Sequence, residues 1–181
     1  MTSDRDLIER YRRGEEKAFE EFYRRHRRPI FAYLLACARN RETAEELLQE
    51  TFFAFLRSLD RLDGSADLRP YLFRTARNLA IDWVRRRRRS ERALERRAAD
   101  PFFRRCGEAP SEAADEDAER LSALIDRLPD EQREAIVLKV FGGLTFREIG
   151  LLTGSPEATV VSRYRYGLEK LRASFSPGGC T

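Results

Sequence analysis

Apolar residues in this chain recur three and four positions apart, block after block, and never alternate. An α-helix turns once every 3.6 residues, so this spacing lays an apolar stripe along one face; a half-buried strand needs a period of two. The stretch TAEELLQETFFAFL at 43–56 shows it most plainly, with Leu47, Leu48, Phe52, Phe55 and Leu56 on one side. The few β-branched residues are scattered. The expected fold class is all-α.

Caps and breakers divide the pattern into helices. Ser3 caps a short first helix carrying Leu7, Ile8 and Tyr11, and Gly14 stops it. A second helix carries Ala18, Phe19, Phe22 and Tyr23, then Ile30, Phe31, Leu34 and Leu35. Pro29 is expected to kink or divide it, and Asn40 ends it. Thr43 and Glu46 form a capping box opening a third helix through about Leu59. The turn-rich DRLDGSAD at 60–67 follows, and Pro70 then suits the first turn of a helix over Arg69 to Arg88. Further on, helices are expected over Ala118 to Leu128 and from Pro129 through about Phe141, where Gly142-Gly143 breaks the chain. A second box, Thr145 with Glu148, opens a short helix ending near Leu152. After the turn Thr153-Gly154-Ser155, Ser155 caps and Pro156 starts a last helix to about Ala173.

Charge divides the 181 residues more coarsely. Arg85 to Arg97 is strongly basic, whereas Glu108 to Glu119 is acidic without one basic residue. Its few apolar side chains cannot offset the entropy of ordering. The expected organisation is two small helical domains, 1–97 and 118–175, joined by a flexible acidic linker at 98–117, with a tail at 176–181. The hydrophobic share, 41%, suffices for two modest cores, and 36% of residues are charged. Lys stands only at 17, 139 and 170, so the positive charge is nearly all Arg, whose planar fork suits phosphate. A GC-rich genome would give the same bias. The odd cysteines Cys37, Cys106 and Cys180, the single His26 and the lack of any CxxC argue against a zinc site or disulfide framework. They fit a reducing cytoplasm. His26, among arginines, is expected at the surface. No stretch approaches the roughly 18 apolar residues of a membrane span, and no cofactor or metal is expected.

Three features point outward. The short helix near 146–152, a three-residue turn with Gly and a longer helix have the arithmetic of a helix-turn-helix, whose second helix offers its first residues to base edges. Those residues are Glu157, Thr159, Ser162 and Arg163, with Arg165 further on, while Ile149, Leu152, Val160 and Leu168 would hold the helices together. A plain helical hairpin has the same spacing. The run Arg85 to Arg89 ends a helix that also carries Arg74, Arg77, Asn78 and Trp83. Guanidinium, amide and indole on one surface suit phosphates and unstacked bases, although a basic helix end also suits the helix dipole and Arg runs also tether RNA or membranes. Some of Tyr71, Phe73 and Trp83 must be core. Finally, Glu46, Gln49 and Glu50 share a face at i, i+3 and i+4. An ordinary exposed face is the simpler account, and with no His, Ser or Gly-rich pocket beside them they do not suggest catalysis.

In order, these pieces resemble bacterial sigma factors of the sigma-70 family, in the small extracytoplasmic-function class. TAEELLQETFFAFL at 43–56 is similar to the family's core-polymerase-binding helix. YLFRTARNLAIDWVRRRRR at 71–89 is similar to its −10 recognition and melting helix. The segment from LPDEQREAIVLKVFGG through VVSRYRYGLEKLR, 128–172, is similar to its −35-binding domain. The resemblance implies a non-enzymatic subunit of RNA polymerase. Glu46, Leu47, Gln49, Glu50 and Phe53 would dock on the β′ clamp helices of core enzyme, with the β subunit also in contact. Leu62 and Asn78 would build a pocket for a flipped −10 base. Arg74, Arg77 and Trp83 would lie on the −10 surface, and Arg85, Arg86, Arg87, Arg88 and Arg89 would hold upstream phosphates. Glu157, Thr159, Ser162, Arg163 and Arg165 would read the −35 duplex. An anti-sigma protein is an expected partner of the class. The chain departs from the family at Leu62, where an aromatic is common, and at Ala158, Val161 and Tyr166, where Gly, a basic residue and Arg are usual. Weaker or differently addressed −35 binding is therefore expected. A decoy that sequesters an anti-sigma protein, or a stand-alone helix-turn-helix regulator, would share some of these features.

Overall fold

The computed structural model describes residues 2–62, 67–97, 124–125 and 127–175, and among them it contains helices and no strand. The all-α expectation is met. Helices α1 (Asp4–Arg12), α2 (Glu16–Ala38), α3 (Arg41–Ser58) and α4 (Leu68–Arg97) form an N-terminal bundle. Helices α5 (Asp130–Val140), α6 (Phe146–Thr153) and α7 (Glu157–Phe175) form a C-terminal cluster. The expected linker at 98–117 and tail at 176–181 lie outside the described residues. So does most of the helix expected over Ala118 to Leu128: Leu124 and Ile125 are helical, and Leu128 already is not.

Local chemistry explains the helix ends. The Ser3 hydroxyl accepts from the Asp6 amide at 3.1 Å while the Asp6 carboxylate accepts from the Ser3 amide at 3.2 Å, so two amides that the first turn leaves unpaired are satisfied. Pro29 does not divide α2, which runs unbroken for 23 residues. Buried Phe22 and His26 precede it and buried Ile30, Tyr33 and Leu34 follow, so packing on both sides outweighs the lost backbone bond. Arg39, with φ of 54°, closes α2. The third helix begins earlier than its sequence suggests: Asn40 accepts from the Thr43 amide at 2.8 Å and is the cap, placing Thr43 inside the first turn. Leu59 to Arg61 then form a 3-10 turn, and α4 extends to Arg97, beyond the expected Arg88.

Aromatic rings fill the N-terminal core. Phe22 stacks on Phe55 at 5.1 Å, and Phe73 meets Tyr33 edge-on at 5.9 Å. Of the three aromatics on α4, Phe73 is core, while Tyr71 and Trp83 are half-buried. His26 is not the surface residue expected from its neighbours. It is 1% exposed, against Phe22 at 4.5 Å, with its Nε2 2.7 Å from Asp4 Oδ2. Of the four arginines beside it in sequence, Arg24, Arg27 and Arg28 are exposed, while half-buried Arg25 shares the Asp4 carboxylate with it, because only one residue in each helical turn can face fully inward.

Helix α5 packs on α2 and so joins the two blocks. Arg133 is buried there. Its guanidinium donates to the carbonyls of Ile125 at 3.2 Å and Leu128 at 2.8 Å, to Asp130 at 2.8 Å, and to the Ala36 carbonyl of the N-terminal block at 3.2 Å. A buried charge is tolerable when its donors are matched in this way.

Candidate polymerase and nucleic-acid interface

The α6–turn–α7 unit is built by small residues and one capping box. Thr145 Oγ1 accepts from the Glu148 amide at 3.2 Å, and Glu148 accepts from the Thr145 amide at 2.6 Å. Gly154, with φ of +69°, ends α6 in the left-handed region that favours glycine. The turn then folds so tightly on α6 that a Cβ on Gly150 would lie 2.7 Å from the Ser155 carbonyl oxygen. Ile149 and Val160 are buried, and Leu152 and Leu168 pack against the core, as expected. Sequence reasoning missed the ring pair Phe146–Tyr164 at 5.3 Å, and Gly167, where a Cβ would meet Ile136 at 2.6 Å. An aromatic at each helix and a lone glycine in mid-helix were the available signals. Pro156 accepts the first α7 bonds, from the Thr159 and Val160 amides, so the cap falls one residue later than Ser155.

At the start of α7, Glu157, Ser162 and Arg165 are exposed, and Thr159 and Arg163 are half-buried. Arg163 is held inward: Nη2 lies 2.8 Å from Glu131 and Nη1 donates to Ser155 Oγ at 2.8 Å. The Ser162 hydroxyl donates to the Ala158 carbonyl at 3.0 Å. At the departures from the family pattern, Ala158 is exposed, Val161 is half-buried, and Tyr166 is 59% exposed.

Helix α4 has two working sides. Arg74, Asn78, Arg85 and Arg89 lie along one exposed stripe, with the Arg74 guanidinium 4.9 Å over the Tyr71 ring. The sequence predicted Arg77 and Trp83 on the same surface. Instead, Arg77, Trp83, Arg87 and Arg88 line an open cleft of 740 Å³ facing α5. Arg77 Nε donates to Glu134 Oε1 at 2.9 Å, and Arg87 lies over the Trp83 ring at 5.4 Å. All five arginines from 85 to 89 have exposed side chains. Leu62 is half-buried, its carbonyl accepting from Arg12 at 3.1 Å. The loop residues after it lie outside the described residues.

On α3, Glu46, Gln49 and Glu50 are exposed, and Phe53 continues their face at 61% exposure. Leu47 does not share that face. It is 3% exposed and packs inward, because the inner stripe of a core-backed helix falls at 44, 47, 48, 51, 52 and 55. Among the described residues no cluster of His, Cys, Asp and Glu could hold a metal ion, and no helix is long and apolar enough to cross a membrane.

Comparison with known proteins decides what this arrangement belongs to. The family model "Sigma-70 region 2" matches residues 22–90, which span the acidic face of α3 and the arginine run of α4. The model "Sigma-70, region 4" matches residues 118–171, which include the α6–α7 unit. The RNA polymerase sigma factor CarQ of Myxococcus xanthus is 34% identical, over 91% of this chain and 93% of its own length. The chain belongs to the sigma-70 family, in its extracytoplasmic-function class. A second relative, the extracytoplasmic-function sigma factor SigM of Bacillus subtilis, is 28% identical over 88% of this chain and 96% of its own. Among solved structures, the sigma factor RpoE of Bartonella quintana, in complex with the anti-sigma factor NepR, superposes with a TM-score of 0.69. Its identity is 20%, over 90% of this chain and 99% of that one. CnrH in complex with the cytosolic domain of CnrY also gives 0.69, at 24% identity, over 97% and 98%. This sigma factor directs core RNA polymerase to promoters and promotes the melting that begins transcription.

Proposed function

We propose that the exposed α3 face of Glu46, Gln49, Glu50 and Phe53 is the docking surface for the β′ clamp helices of core polymerase, with the β subunit also in contact. The single observation that carries the reading is an exposed phenylalanine in register with three exposed polar residues on a helix whose other side is fully buried in an aromatic core. Carboxylates around an apolar anchor suit a basic partner, fixing register and speeding encounter, while Leu47 supports the helix from within. Asn78 and Leu62 receive a −10 base, and Arg74, Arg77, Trp83 and Arg85 to Arg89 contact the strand and the upstream phosphates. Leu62 lacks the ring that would stack on a flipped base, so hydrogen bonding by Asn78 carries more of the selection. Glu157, Thr159, Ser162, Arg163 and Arg165 address the −35 duplex. Holding extruded bases offsets the few kcal/mol, roughly, of unstacking each step, so this chain hydrolyses no nucleotide. It works in the cytoplasm under the control of an anti-sigma protein, as the names of its structural neighbours suggest.

Run-off transcription with purified core polymerase on a pool of promoter fragments tests the whole reading, and start sites with shared −10 and −35 sequences are expected. The double variant Gln49→Ala/Glu50→Arg should lose copurification with core enzyme at unchanged helicity. Retained copurification would remove the assignment of α3.

A further inference from the structure

Arg12 ties the first helix to the turn that carries Leu62. Its Nη2 donates to the Leu59 carbonyl and, at 3.1 Å, to the Leu62 carbonyl, partners 47 and 50 residues along the chain. Both carbonyls stand at the end of the 3-10 turn Leu59–Arg61, and a helix leaves its last carbonyls without amides of its own. The Leu59 carbonyl also accepts from the Leu62 amide at 3.2 Å, so one guanidinium nitrogen and one amide close the turn together. Leu59 is buried and the Leu62 side chain packs against the core. Leu62 is therefore held twice, by its side chain from within and by its carbonyl from α1. The near end of the tie is firm as well. Helix α1 is seated by buried Leu7 and Ile8, by Tyr11 against Phe19 at 5.1 Å, and by Asp4, 2.7 Å from His26 Nε2. Arg10 donates to Glu15 at 2.9 Å across the turn that follows. Arg12 lies on the last turn of this packed helix, ahead of the residues 22–90 that the region 2 model matches.

We propose that Arg12 is a positioning residue for −10 base selection: it touches no base, but it fixes the backbone at Leu62 and so the shape of the pocket that Leu62 forms with Asn78. The inference rests on the proposed assignment of Leu62 and Asn78 to a flipped −10 base. Leu62 has no ring to stack on that base, and stacking tolerates any base in any case. Discrimination then depends on where Leu62 and Asn78 stand. A wall free to shift adapts to the wrong base, whereas a held wall keeps the misfit and with it the discrimination. On this account α1 belongs to the promoter-reading apparatus although none of its side chains faces DNA. A plain staple between α1 and the end of α3 would make the same two bonds, and base preference separates the two roles.

A promoter recovered by run-off transcription is varied to all four bases at each −10 position. Open-complex formation is then compared by competition for holoenzymes carrying wild-type, Arg12→Ala, Arg12→Lys and Asn78→Ala chains. Arg12→Ala should lower the ratio of best to next-best base by about tenfold, the factor that one lost charge-assisted hydrogen bond brings. The loss should fall at one position, the same one that Asn78→Ala alters, with copurification with core enzyme and helicity unchanged. Arg12→Lys should restore most of the ratio, since an ammonium keeps donors for both carbonyls. Arg12→Gln, with a shorter reach, stands in if the alanine variant does not fold. An equal loss for every base, or no loss, would leave Arg12 a staple and overturn the proposal. If Arg12→Ala alters one position and Asn78→Ala none, the role of Asn78 falls and that of Arg12 stands; if neither alters any, the pocket and the proposal fall together. Amide exchange at Leu62 in the free full-length protein needs neither polymerase nor DNA. It should quicken by a similar factor in Arg12→Ala, and unchanged exchange would overturn the proposal whatever the promoter shows.

Discussion

Apart from Arg77, which Glu134 holds, the two blocks present the arginines assigned to DNA in opposite ways. Along α4, Arg74 and Arg85 to Arg89 turn their side chains outward, and Arg85 keeps 72% of its side-chain surface in water. On α7, Arg163 is folded back between Glu131 and Ser155 with 25% exposed, leaving Arg165 as the outward cation among the residues assigned to DNA. A phosphate approaching α4 meets charge already in solvent. One approaching Arg163 must first displace a carboxylate, so part of the new interaction is offset by the old one. On the proposed assignment the N-terminal block is therefore expected to supply most of the salt-dependent attraction, and the C-terminal block less than its count of basic residues suggests. Replacing Arg85 to Arg89 with Gln gives the largest expected effect: the slope of log affinity against log salt for promoter-complex formation should flatten by up to about 4.5, at roughly 0.9 per phosphate contact. Arg165→Gln should flatten it by about one unit, and Arg163→Gln by less. Equal slopes for the two α7 variants would break the comparison.

The blocks also differ in how their recognition helices are held. Helix α4 rests on a core of large rings. Helix α7 depends on close backbone approaches, and these tolerate little. Gly150→Val would place a branched side chain against the Ser155 carbonyl, where even a Cβ falls at 2.7 Å. Forced overpacking of this kind costs about 1–3 kcal/mol, and the turn must open to relieve it. The expected outcome is loss of −35 preference on promoter DNA with core binding retained, read from footprints of the variant holoenzyme. A unchanged footprint over −35 would mean that the turn can yield. Thr145→Ala, which removes one half of the α6 capping box, should destabilise the same unit by about 1 kcal/mol in denaturant titrations.

How far the sequence speaks follows from the range of each interaction. Caps at Ser3 and Thr145, the helix-breaking Gly154 and the inner stripe of α3 depend on neighbours within four residues, and all were legible. Even the misplaced cap, Asn40 for Thr43, is a local error of three positions. Burial of His26 was not legible, because its partner Asp4 is distant in the chain, and that of Arg133 was not because the distant Ala36 carbonyl completes a set begun by the nearby Ile125, Leu128 and Asp130. The same reason hid the cleft side of α4. Periodicity places Arg77 and Asn78 on neighbouring spokes of one helix, but only the packing of α5 turns one toward Glu134 and leaves the other in water. Leu47 shows the converse. Glu46, Gln49 and Glu50 around it face out, and membership of the core-facing stripe decides its direction.

The smallest predicted effect separates the blocks by pH, since the buried histidine belongs to the N-terminal bundle alone. Burial lowers the His26 pKa below its ordinary value, against the opposing pull of Asp4 on α1, while Arg25 on α2 and Arg69 on α4 push it the same way as burial. The native ring thus resists a proton that the unfolded chain accepts near pH 6.5. Stability from this residue is present above that value and is lost as pH falls below it toward the lowered native pKa. Urea midpoints at pH 7.5, 6.5 and 5.5 should decline more steeply for the wild type than for His26→Gln, which removes the titration while leaving a side chain able to donate to Asp4. A wild type that gains stability over that interval relative to the variant would show that the Asp4 carboxylate outweighs burial, and that the pair is an ion pair holding α1 onto α2.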